Sequence, residues 1–250
     1  MEHNKTDLRF RGRIMFEKAI DKSLSPWMES DLGKQLIHTI KQQLHLLLPH
    51  HFGFYLVQCG REECTHWLDA SPIQEKIILS HHPIANVSKK NIIYCDFQSL
   101  PFDSNSIDIL FLPCILETQA QLPALFEELW RVLLPGGMLI LFGLNPYSLL
   151  GLKHLLIRHK NEFPWQGRFL SSHQIKKWLL QSNYTIEHTD YFSFHPSLTH
   201  LEKCKHDCYH RLGGLYQIIA TKQILSLTSI KPKWRLHLAE QSLLNPSSQS

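Results

Sequence analysis

Two hundred and fifty residues, 43% hydrophobic and 19% charged, with 11 Gly and 13 Pro, have an ordinary globular composition. Collagen-like, low-complexity and wholly disordered chains are excluded, and one large domain is the first expectation. The net charge of +4 is unevenly spread: residues 1–149 hold 13 Lys and Arg against 16 Asp and Glu, whereas residues 150–250 hold 13 against 6.

Residues 1–25 are polar, and the MEHNKTDLRFRGR start has no apolar core behind its basic residues, so no secretory signal is expected. From Asp31 the pattern turns helical, with Leu32, Leu36, Ile37, Ile40, Leu44, Leu47 and Leu48 at three- and four-residue steps. Ser30 or Asp31 is the predicted N-cap, and Pro49 closes the helix. Five strand-length apolar runs follow: Phe54–Cys59 ending at Gly60, Lys76–Leu79, Asn91–Cys95 before Asp96, Ile107–Leu112, and Met138–Phe142. They are continuously apolar, which suits strands covered on both faces. Between the fourth and fifth, Leu125, Phe126, Leu129, Val132 and Leu133 form one face of a helix. Pro123 suits its first turn, and Pro135-Gly136-Gly137 is predicted to stop it.

After Gly143, the leucines at 149, 150, 152, 155 and 156, with Lys153, Arg158 and Lys160, predict an amphipathic helix packed on the sheet. Ser171-Ser172 caps a helix bearing Ile175, Trp178 and Leu179 on one face. Two further strands are predicted at Tyr184–Phe194 and Leu215–Lys222, and the NPSSQS end reads as a frayed tail. Strands alternating with helices give right-handed βαβ units and a doubly wound, mostly parallel seven-stranded sheet with helices on both faces. Ligands of such a sheet sit outside the carboxyl ends of its strands, so Cys59-Gly60, Ser80, Asp96 and Leu112-Pro113 are placed around one crevice.

The longest apolar runs, Ile109–Leu116 and Met138–Leu144, are too short to cross a bilayer, so no membrane span is expected. The six Cys of a chain without an export segment are expected as reduced thiols in the cytoplasm. His195, His200, Cys204, His206, Cys208 and His210 lie within sixteen residues, but no second Cys pair accompanies Cys204 and Cys208, so no structural metal is expected.

Three stretches carry a resemblance: Cys95–Leu110 (CDFQSLPFDSNSIDIL), Ile115-Leu116-Glu117, and Leu129–Ile140 (LWRVLLPGGMLI). Their residues and order resemble class I S-adenosylmethionine-dependent methyltransferases, nearest to the type 11, ubiquinone-biosynthesis-like subgroup. The resemblance spans Trp27 to Lys222. It implies a Rossmann-like methyltransferase domain over 51–225, with a helical extension at 1–50 and a tail at 226–250. It also implies S-adenosylmethionine as cofactor. The site residues it implies are Gln58, Gly60, Ser80, Asp96, Phe97, Leu112 and Pro113, with Asp96 accepting from an adenine amino group and Phe97 flanking the ring.

The family pattern at the first loop is an acid, one spacer, then Gly-x-Gly-x-Gly. Aligned on Gly60, this chain has Gln58 for the acid and Glu62 and Cys64 for the later glycines. Ser80-His81-His82 stands where an acid normally grips the ribose hydroxyls. Two functions follow: methyl transfer to an unidentified, anionic acceptor, or a methyltransferase-fold binding or scaffold protein without catalysis. An open pocket past Gly60 favours the first, and a pocket filled by Glu62 the second. No catalytic base is assigned among Glu117, Tyr147 and His154. The acceptor stays open between a small molecule and RNA, its charge inferred from Lys153, Arg158, Lys160 and Arg168 after the fifth strand.

Overall fold

The computed structural model describes residues 28–81, 91–119, 121–148, 150–152, 168–193 and 213–223. Helix α1 (Asp31–Leu47) opens at Ser30, whose Oγ accepts the Gly33 N–H at 3.2 Å. The strands are β1 (Tyr55–Cys59), β2 (Glu75–Ser80), β3 (Ile92–Tyr94), β4 (Ile107–Pro113), β5 (Leu133–Leu144), β6 (Tyr184–Phe192) and β7 (Leu215–Lys222). Helix α2 (Leu122–Val132) precedes β5, and α3 (Ser172–Gln181), capped by Ser171 Oγ on the Gln174 N–H, precedes β6.

All seven strands join one sheet in the order β3-β2-β1-β4-β5-β7-β6. The first five pair in parallel, while β7 runs antiparallel between β5 and β6. The order reverses direction at β1, whose neighbours are β2 on one side and β4 on the other, and this is the switch point where open α/β sheets form a crevice.

Alternation along each strand divides the apolar side chains between two cores. In β4, Leu110 and Leu112 face the core under α2 and α3, while Ile109 and Phe111 face the core under α1. In β5 Leu139 and Leu141 join the first, and Met138, Ile140, Phe142 and Leu144 the second. The α1 stripe Leu36, Ile40, Leu44 and Leu48 packs there beside Trp67, which meets Phe111 edge-on at 5.8 Å. Continuous apolar runs therefore arise from two covered faces, as expected. The edge strands β3 and β6 are the most exposed.

One expectation is corrected. Pro135-Gly136-Gly137 does not stop the helix, because α2 ends at Val132 and β5 begins at once with Leu133. Leu133 already pairs with Ile107, and the ladder shifts register before Met138 meets Ile109. Gly136, at φ +78°, supplies the bend inside the strand.

At the amino end of the parallel strands, Asp108 Oδ2 accepts the N–H groups of Phe54 and Tyr55 at 2.8 and 2.9 Å. Nearby in the sheet, Lys222 Nζ donates to Asn105 Oδ1 at 2.6 Å and to the carbonyls of Trp130 and Leu133 at 2.7 Å each. These contacts tie β7 to α2 and β5. Of the amphipathic helix expected after Gly143, only 150–152 fall among the described residues.

Candidate functional site

The chain leaves β1 through a turn that few residue types permit. Gly60 has φ +76° and Arg61, at φ +58°, is also left-handed, a conformation uncommon for a residue with a Cβ. A Cβ on Gly60 would lie 2.8 Å from Ile115 Cδ1. The fully buried Gln58 side chain holds the turn, its Nε2 donating to the carbonyls of Gly60 and Arg61 at 2.9 Å each. A carboxylate at this place would have no proton to give either carbonyl. An amide suits this place because the loop presents acceptors, not donors, to the end of β1.

The left-handed pair sends consecutive side chains to opposite sides. Arg61, 6% exposed, donates from Nη2 to the Cys114 carbonyl at 3.2 Å, just past β4. Cys114 is itself left-handed at φ +49°, so two unusual backbone conformations are linked across the switch point. Glu62 turns the other way, where its Oε1 accepts the hydroxyl of Ser80 at the end of β2, at 3.0 Å. Beyond it, Glu62–Leu68 forms a 3₁₀ segment kinked at Cys64, with Glu62 and Glu63 in its first turn.

A narrow cleft with room for about one water molecule lies outside these strand ends. Gly60, Arg61 and Glu62 line it from the first loop, His81 and Phe97 from the loops after β2 and β3, and Ile115, Thr118 and Gln119 from the loop after β4. His81 and Phe97 stack face to face at 4.3 Å. His81 Nδ1 lies 3.0 Å from the Cys95 carbonyl, a contact that requires the proton on Nδ1. Gln119 is 3% exposed, and its Oε1 is buried without a hydrogen-bond partner. Glu62 is one of the residues that line the cleft.

Of the residues expected from sequence, Gly60 and Phe97 line the cleft. Gln58 lies beneath the loop and Ser80 behind Glu62. Asp96 is exposed and outside the lining; its Oδ1 accepts the Gln98 N–H at 3.0 Å and closes a turn. Leu112 and Pro113 are buried in β4, and the wall comes instead from the residues after them. Sequence reasoning missed Arg61, His81, Ile115, Thr118 and Gln119 as lining residues, although all follow the carboxyl ends of strands. The candidate metal cluster His195–His210 lies outside the described residues, and among the described residues no three His, Cys, Asp or Glu gather to hold a metal. The four described cysteines, Cys59, Cys64, Cys95 and Cys114, form no disulfide with one another.

Residues 57–141 match the model of the type 11 methyltransferase-domain family. Over those residues the chain is similar to that methyltransferase domain. The uncharacterized protein YafS of Escherichia coli (strain K12) is 28% identical over 205 residues, 81% of this chain and 82% of that protein. The biotin biosynthesis bifunctional protein BioHC of Cellvibrio japonicus (strain Ueda107) is 33% identical over 112 residues, 42% of this chain and 22% of that protein. Among solved structures, a methyltransferase of Thermotoga maritima, titled a possible histamine N-methyltransferase, has 19% identity and a TM-score of 0.62. The match covers 83% of this chain and 98% of that one, and shows the shared methyltransferase fold.

Behind the cleft wall, Glu117 is 1% exposed; its Oε1 accepts the Leu144 N–H at 2.7 Å, while Oε2 is buried without a partner. Burial pushes its carboxyl up from 4.5 to about 7, against the opposing pull of the Leu144 N–H and the Arg61 cation. The folded chain therefore keeps this proton where an unfolded one has lost it. The stability it confers is complete below pH 4.5 and is lost as pH rises to about 7, a loss of about 3 kcal/mol.

Two predictions follow from the buried groups. Glu117→Gln keeps the acceptor for Leu144 but does not titrate, so its stability relative to the native protein rises by about 3 kcal/mol between about pH 4 and about pH 8. Urea unfolding across that range checks this, and a constant difference contradicts it. Gln58→Glu is expected to cost about 3 kcal/mol, because a buried carboxyl then faces two carbonyls. A midpoint unchanged in urea counts against the assigned role of the amide.

Proposed function

We propose that this protein transfers a methyl group from S-adenosylmethionine to a negatively charged acceptor, with the cofactor held in the cleft at the β1–β4 switch point. The observation that carries the reading is the Gly60 turn, which opens the carboxyl end of β1 into that cleft. The lining fits such a cofactor in chemical kind. The Arg61 guanidinium offers charge to a carboxylate. The unpartnered Gln119 Oε1 awaits a donor such as an ammonium or amino group, and the His81–Phe97 pair offers an aromatic face.

Bound S-adenosylmethionine supplies a methyl group on a sulfonium, an activated donor, so the chain's own residues mainly align and shield the reacting centres. Gly60, Arg61, Ile115, Thr118 and Gln119 are among the residues that line the cleft. A base is needed only where the acceptor arrives protonated. Neither the enclosed Glu117 nor Tyr147, which is 72% exposed, is assigned that role, and His154 lies outside the described residues.

The scaffold reading draws support from the first loop. A seven-residue 3₁₀ segment with two acids in its first turn stands where the family expects a glycine-rich entry to a helix. Calorimetric titration with S-adenosylmethionine and S-adenosylhomocysteine separates the two. Micromolar-range binding of either is expected, and a folded sample giving no heat with both overturns the catalytic reading.

The acceptor's charge is supported by the 13 Lys and Arg against 6 Asp and Glu in residues 150–250. Arg168 is exposed at the edge of this part, its N–H on the Glu117 carbonyl at 3.0 Å, while Lys153, Arg158 and Lys160 lie outside the described residues. Retention on a heparin column is expected to fall steeply with salt and to weaken when Lys153, Arg158 and Lys160 are replaced together by Ser. Equal retention of the triple variant overturns the anionic-acceptor proposal.

A further inference from the structure

The segment that joins α1 to β1 holds aromatic side chains out in solvent on a fixed backbone. Phe52 and Phe54 are each 79% exposed, and Leu46 and Tyr55 on either side of them are exposed as well. Single exposed apolar side chains are ordinary, but four within ten residues form a surface that calls for a cover. The backbone beneath them is pinned. The His51 N–H donates to the Leu48 carbonyl at 3.1 Å, and the Phe54 and Tyr55 N–H groups share Asp108 Oδ2. Gly53 lies so close to that aspartate that a Cβ there would come within 2.5 Å of its Cγ. The phenylalanines are therefore presented by a built turn.

Sheet register brings a long segment of the chain to the same end. Leu56 pairs with Ile109, Ile109 with Met138 and Met138 with Thr221, so these four form one row across β1, β4, β5 and β7. Because β7 runs opposite to β1, Gln223 stands level with Phe54. Three strand spacings, about 14 Å, separate them. Residues 224–250 continue from that point, and about five extended residues cover the distance. Residues 1–27 join instead at the far end of α1, whose 17 residues put it about 25 Å from Leu47.

We propose that residues 224–244 dock across the amino end of the sheet and cover Phe52 and Phe54. Nine of these 21 residues are Ile, Leu or Trp, with Lys231, Lys233 and Arg235 among them. A stretch so apolar gains by leaving water, and the exposed phenylalanines gain by the same contact. Glu75, exposed and opposite Tyr55 in the ladder, offers the three cations a counter-charge. The docked segment ties the last strand, β7, back to the first at the end of the sheet opposite the cleft. The proposal is thus independent of what the cleft binds.

Hydrogen exchange on the full chain, read by mass spectrometry, tests this. In the native protein, peptides from 224–244 are expected to exchange at least about tenfold more slowly than an unfolded chain of the same sequence, at every protein concentration. Phe52→Ser combined with Phe54→Ser removes the covered surface and is expected to return those peptides to the unfolded rate, with exchange in β4 and β5 unchanged. Phe52→Ser alone leaves the start of β1 as it is and is expected to lose part of the protection. Native protein whose 224–244 peptides exchange at the unfolded rate overturns the inference, whatever the variants do. Protection that survives unchanged in either folded variant overturns it too, because the segment then rests elsewhere. Protection that fades on dilution, together with a sedimenting dimer that the double variant does not form, gives the surface to a second copy and overturns it as well.

Discussion

The buried amide of Gln58 is the contact on which the site's arrangement depends. Its two protons hold the carbonyls of Gly60 and Arg61, and a non-glycine residue is thereby kept left-handed at the head of the cleft. Such a conformation costs of order 1 kcal/mol and persists only where neighbours over-determine it. Here the neighbours are Gln58 below and the Cys114 carbonyl beside it, and Arg61 is committed to β4 while Glu62 is committed to β2. Gln58, Glu62 and Ser80, where the chain departs from the first-loop pattern it resembles, are consequently linked. An amide suits position 58 because the loop turns its carbonyls inward, and Ser80 stands at the end of β2 where Glu62 already brings a carboxylate.

The sheet was largely legible from sequence, because strands covered on both faces need continuous apolar runs. Ile107–Pro113 and the later half of β5 show it in the division of alternate residues between two cores. The caps at Ser30 and Ser171 were legible too, since each is a local bond between a hydroxyl and an N–H three residues on. Pro135-Gly136-Gly137 misled because a helix stop and a strand bend use the same residues. The choice was made by pairing with β4, a partner more than twenty residues away.

The site was half legible. Gly60 and Phe97 follow from strand ends alone, but side-chain direction at Arg61 and Glu62 depends on a positive φ that glycine would announce and arginine does not. From sequence, Glu62 stands where the resembled pattern has a glycine; in the structure its carboxylate accepts from Ser80. Asp96 lies where the sheet geometry puts it, yet the Gln98 N–H claims one of its oxygens and the cleft wall begins at Phe97. Fold similarity carries the architecture and no more, since one architecture hosts many chemistries. The proposed function rests on the cleft that Gly60, Arg61 and Gln119 help to line.

A crystal structure of the protein with S-adenosylhomocysteine tests the central claim most directly. The account predicts the ligand beside the β1 turn, with Gly60 and Arg61 still left-handed and Gln58 still on their carbonyls. A ligand bound with the loop rebuilt and Gln58 released, or bound away from this turn, would contradict it.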